Sequence, residues 1–144
     1  MFQRICSAAE LKPSSGTLGL LMDPKHAALS RFPSEFHTNW QWWHLIKNSR
    51  AVVLDGAPAG YRPIVQVIDN IYRNWKLGLI FEFRVGKGRL LVCTVDLLKL
   101  EDRPEAAQLL RSLLAYAGSP EFEPAAVIDL ATLRRLIGIL VVHA

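Results

Sequence analysis

A β-hairpin constrains this chain more than any other feature. In "KLGLIFEFRV" (76–85), Leu77, Leu79, Phe81, Phe83 and Val85 alternate with Gly78, Ile80, Glu82 and Arg84. That is the period of two expected of a strand whose two faces differ. "RLLVCTVD" (89–96) is a second strand-like run, and Gly86-Lys87-Gly88 joins the two. Two such runs around a short glycine-containing loop predict an antiparallel hairpin.

Upstream, "TLGLLM" (17–22) reads as a buried strand closed by Asp23-Pro24, and Pro33 biases Phe32 toward extended backbone. Thr38 and Gln41 match a capping box that opens a helix running to about Lys47. "AVVLDG" (51–56) and "IVQVID" (64–69) read as two more strands. The "APAGYRP" between them is too short for a crossover helix, so they are not partners in a simple βαβ unit. Downstream, Asp102 or Glu101 is the expected cap of a helix with Pro104 in its first turn and Gly118 at its end. Ala106, Leu109, Leu110, Leu113, Leu114 and Ala117 would form its apolar face, with Glu105, Gln108, Arg111 and Ser112 opposite. One more short helix is predicted from about Leu130. Leu136 to Val142 then makes an apolar window that could be an edge strand, a partner contact or a non-native end. The fold class is therefore α/β: a partial three-layer sandwich with a mixed sheet that includes one β-hairpin. With no element assigned before residue 17, the chain reads as the second half of an α/β domain, spanning 16–137 between an unassigned 1–15 segment and an apolar 138–144 tail.

The 144 residues suffice for one domain with a real core. Hydrophobic residues at 51% and charged residues at 21% exclude a disordered chain. The formal charge of +4 comes from scattered basic residues, of which Arg84, Lys87 and Arg89 come closest to a patch. Nucleic-acid binding normally needs basic residues clustered on one face, so no nucleic-acid partner is expected. "MFQRICSAAE" carries no signal-peptide core, and no apolar run is long enough for a membrane span. On that basis the chain is expected to be cytoplasmic or truncated. Cys93 reads as a buried, inert thiol, and with no Cys-x-x-Cys pair or histidine at ligand spacing, neither a metal nor a cofactor is expected.

The segment richest in potential chemistry is "EFHTNWQWWHLI" (35–46), which holds three of the four tryptophans. On a helix Trp40, Trp43 and Lys47 share one side, while Trp42, Leu45 and Ile46 share another. Two readings stay open: a core helix packed beneath the hairpin, or a face on which a sugar ring stacks while polar neighbours bond its hydroxyls. The candidate carbohydrate-binding residues are His37, Asn39, Trp40, Trp42 and Trp43, with Asp69 and Arg73 of "VIDNIYRNW" behind them. Glycoside hydrolysis needs two carboxylates at a set separation. Glu35, Asp55, Asp69, Glu82 and Asp96 are available, and Glu35 with Asp69 is the pair a small hydrolase would use. Asp55, Asp69 and Asp96 end strands, where turn formation and capping compete with catalysis as explanations. No nucleophile elbow is present, and "RVGKGR" joins two strands, unlike a phosphate loop.

Taken together, "GLLMDPKHAALSRFPSEFHTNWQWWHLIKNSRAVVLD" and "FEFRVGKGRLLVCTVDL" resemble the C-terminal region of family 2 glycoside hydrolases, the β-galactosidase-like proteins. The resemblance spans roughly residues 16–137. It implies an accessory α/β half-domain of the class I glutamine-amidotransferase-like type, in a parent that metabolises carbohydrate and is often exported. The family's hydrolytic carboxylates belong to a separate TIM barrel, so the resemblance supplies no catalytic residue here. What it implies is a non-catalytic module that supports domain packing or binds carbohydrate, with other domains of a hydrolase or a second copy of the chain as further partners.

Overall fold

The computed structural model describes residues 2–4 and 18–137. Among the described residues seven strands form one sheet: β1 (Phe2–Arg4), β2 (Gly19–Met22), β3 (Arg50–Val53), β4 (Val65–Ile68), β5 (Lys76–Val85), β6 (Gly88–Cys93) and β7 (Val127–Ile128). The main path runs β1-β3-β5-β4-β2, and β6 and β7 also pair with β5. β7 lies parallel to β5, whereas the other pairings are antiparallel, so the sheet is mixed and the fold is α/β. The expected hairpin is β5–β6, with Val85 opposite Gly88 and Gly86 at φ 57° in the turn. β3 and β4 each pair with β5, in keeping with the short segment that joins them.

Helices cover both faces. On one, α1 (Trp43–Lys47), α2 (Pro104–Ala117) and the 3₁₀ turn Ala27–Leu29 enclose Leu20, Met22, Val65, Val67, Leu77, Leu79 and Ile80. On the other, Leu136 of α3 (Leu130–Ile137) joins Val52, Leu54, Phe81, Phe83 and Ile128. The result is three layers with the sheet in the middle.

β5 does not keep the unbroken alternation its sequence suggests. Val65 faces Ile80, but the next residue, Gln66, faces Gly78, which leaves Leu79 as an extra residue in β5. This β-bulge turns two successive side chains, Leu79 and Ile80, to the same face. Before it, odd-numbered residues look toward α2; after it, Phe81 and Phe83 look toward α3. Glu82 is thereby directed to the α2 side, where it meets Tyr116.

Several local expectations are corrected. The Thr38 capping box does not form: the Thr38 hydroxyl accepts the Leu20 N–H across to β2, and Asn39 precedes a 3₁₀ turn, Trp40–Trp42, that leads into α1. Gln41 reaches back to the Pro33 carbonyl and the Ser34 hydroxyl. In α2 the capping position is Arg103, not Asp102 or Glu101, while Pro104 starts the helix as expected. Ser112 is buried and Leu114 exposed, the reverse of the expected faces. Ser112 tolerates burial because its hydroxyl donates to the Ala28 carbonyl and accepts the Arg31 N–H. Cys93 is half-buried rather than enclosed, and burial pushes its thiol up to about 11, against a smaller opposing hydrogen bond from the Val95 backbone. That agrees with an inert thiol. Cys6 and the 138–144 tail lie outside the described residues.

Candidate functional site

The tryptophans divide between two environments. Trp42 is 0% exposed and sits edge-on to Phe32, centroids 5.2 Å apart, so it belongs to the core and cannot be a stacking residue. Trp40, by contrast, is 85% exposed and Trp43 38%. Their ring centroids are 6.0 Å apart at 59°, and the Lys47 ammonium lies 4.2 Å from the centre of the Trp43 ring. The outer side of this segment therefore presents two adjoining indoles and a cation–π contact. His37 is exposed, with one ring nitrogen 3.1 Å from Glu35 and the other 3.0 Å from the Thr38 carbonyl. Asn39 Oδ1 is buried and takes no hydrogen bond among the described residues.

Asp69 and Arg73 are committed elsewhere. The Asp69 side chain is 1% exposed and accepts from Arg73 at 2.6 Å and from the N–H groups of Asn70 and Trp75. Burial by itself would raise its carboxyl, but these hydrogen bonds, with the Arg73 charge, hold it below the usual carboxylate range. The Arg73 guanidinium lies 5.1 Å from the Trp75 ring. Asp55 accepts the Lys76 N–H, so these two aspartates fasten the start of β5. Glu35 and Asp69 are not brought together as a hydrolase would need. His37 bridges Leu21 and the Phe36 carbonyl accepts from Met22, whereas Asp69 follows Ile68, which pairs with Gly19. Along β2 that is a separation on the order of 15 Å, well beyond the span of a glycosidase pair.

The bulge in β5 creates a second candidate site that periodicity could not reveal. Glu82 lines an open cleft of about 900 Å³ between the 58–64 loop, the segment that leaves β2, Phe36 and Ala125–Ala126. Its Oε2 accepts the Tyr116 hydroxyl at 2.8 Å, and both its main-chain groups bond the Tyr61 hydroxyl. His26 packs edge-on to Tyr116, and its Nδ1 accepts the Ala28 N–H, which leaves Nε2 to carry the proton. Burial raises both tyrosines; the Glu82 carboxylate adds to this through its charge at Tyr61, and through its hydrogen bond and charge at Tyr116. Both remain neutral hydroxyls well above neutral pH. The basic cluster noted in the sequence is tied down as well: Arg84 and Arg89 both pair with Glu123, at 3.0 and 2.9 Å.

Residues 2–138 match the family model described as a domain of unknown function, DUF8487. The chain belongs to that family. No curated protein matches it. In this DUF8487 domain, no helix among the described residues is long and apolar enough to cross a membrane.

Proposed function

We propose that the chain is a non-catalytic carbohydrate-binding module of the kind implied by its resemblance to the C-terminal region of family 2 glycoside hydrolases. The observation that carries this reading is the exposed Trp40–Trp43 pair. An indole left bare in water exposes apolar surface that a pyranose can cover, because the sugar's C–H face stacks on the ring while its hydroxyls keep their hydrogen bonds. Lys47 extends the platform by offering a donor beside Trp43. His37, exposed three residues before Trp40, adds a second polar group.

Calorimetric titration of the chain with a panel of soluble plant polysaccharides tests the reading. Trp40→Ala and Trp43→Ala should each abolish binding and leave the thermal midpoint near that of the parent. Unaltered affinity in both variants would sink it. A second reading, packing against another domain or another copy, is favoured by Leu18, Ile71 and Tyr72, which are exposed near the outer end of the β2–β4 pair. It predicts no glycan binding and a sedimentation coefficient that rises with concentration.

A further inference from the structure

The Glu82 cleft has the composition of a ligand site that the tryptophan platform does not use. At about 900 Å³ it lies near the top of the range of small-molecule sites, roughly 300–1,000 Å³, and has room for a short oligosaccharide. Its walls include Met22, Phe36, Tyr61 and Ile64. Glu82 is held at its main chain by Tyr61 and at Oε2 by Tyr116, so it is fixed before any ligand arrives. Among the described residues Oε1 accepts no hydrogen bond, and Glu82 is part of the cleft wall.

The cleft also contains Lys25 and Arg62, and neither side chain is in an ion pair among the described residues. Asp23 also lines the cleft, its Oδ1 accepting the Lys25 N–H, so carboxylate acceptors stand with two cations that form no ion pair among the described residues, and together they make conflicting demands on most ligands. A simple amine satisfies Glu82 but meets the cations; a phosphate satisfies the cations but offers Glu82 no donor when fully ionised. An apolar ligand satisfies neither. A pyranose carrying a carboxylate meets both, with a hydroxyl donating to Glu82 and the carboxylate accepting from the planar Arg62 guanidinium and from Lys25.

We infer that this cleft is a subsite for an acidic sugar, a hexuronate unit of a polysaccharide, bound between Glu82 and the Lys25–Arg62 pair. The inference rests on the carbohydrate reading above for the class of ligand, but it uses none of the platform residues.

Titration of the full chain with trigalacturonate and with galactotriose, its neutral counterpart, tests it. The parent should bind the acid more tightly, and added salt should narrow the difference. A Lys25→Ala/Arg62→Ala double variant, both positions being exposed, should weaken trigalacturonate about tenfold or more at an unchanged melting temperature. Equal affinity of the parent for the two sugars, or full retention of trigalacturonate binding in the double variant, overturns the cleft assignment. If Trp40→Ala abolishes binding of both sugars and the double variant changes nothing, the platform reading stands and the cleft falls. Loss confined to the double variant gives the opposite result. Failure of the parent to bind either sugar or any polysaccharide of the panel removes both.

Discussion

The Tyr61 hydroxyl accepts the Glu82 N–H at 3.1 Å and donates to the Glu82 carbonyl at 2.8 Å. It thus fills a gap along β5, between Ile80, the last residue paired to β4, and Arg84, the first paired to β7. The Tyr61 ring stacks on Phe83 at 4.5 Å, so one side chain closes the ladder and covers the neighbouring core residue. A side chain doing a strand's work here fixes Glu82 at the edge of the cleft.

Tyr61→Phe keeps the stack and removes both hydrogen bonds. The Glu82 N–H and carbonyl lose their partner, and the domain should lose about 1–3 kcal/mol in a urea titration. An unchanged midpoint would mean that water takes over both bonds, and that the hydroxyl contributes nothing to the ladder.

Gly78 sits in β5 just before the bulge, where a Cβ would lie 2.5 Å from Leu54 Cδ1 and 3.0 Å from Phe81 Cδ1. Leu54 and Phe81 are fully buried and have little room to withdraw. Gly78→Ala should cost about 1–3 kcal/mol through overpacking. Equal stability of variant and parent would show that this side of the sheet is loosely packed.

The hairpin and the α2 helix were legible because each follows from a strong local signal, alternation around Gly86 and Pro104 at a helix start; α3 was expected only as a short helix from about Leu130. The faces of β5 were not. Alternation from Leu77 to Val85 is unbroken in the sequence, and the extra residue at Leu79 exists only because β4 pairs on either side of it. Ser112 reads as a surface residue until the Ala28 carbonyl is brought within 2.7 Å of its hydroxyl by a contact 84 residues away. The same limit applied to the cleft. Glu82 was visible as an available carboxylate, but Tyr61, Tyr116 and His26 come from three distant segments and share no spacing. A glutamate between Phe81 and Phe83, followed at a distance by a tyrosine within the α2 helix, was the available hint.

Within "NWQWW" the two environments should separate cleanly on mutation. Trp42→Ala empties a fully enclosed site beside Phe32 and should cost about 3–5 kcal/mol, enough to threaten folding of a domain this size. Trp40→Ala removes an exposed ring and should change stability by less than about 0.5 kcal/mol. Thermal melts of the two variants side by side check this. Equal losses would mean that Trp40 is covered in solution, by a second copy or another segment.

Asp69 supplies an acid-sensitive fastening for the segment that enters β5. Its folded carboxyl titrates below the unfolded value of about 3.9, so the stabilisation is complete above that pH and is lost as pH falls through the lower, folded value. Asp69→Asn keeps the shape and removes the charge that Arg73 meets at 2.6 Å. At neutral pH the variant should be less stable by about 1–3 kcal/mol. The gap between parent and variant should then shrink as the pH is lowered below about 4, because the parent's carboxylate becomes protonated and stops attracting Arg73. Urea titrations of both proteins from pH 7 to pH 3 measure that gap directly. A difference that stays constant across the range would assign the loss to altered hydrogen bonding alone and leave the Arg73 charge without a role.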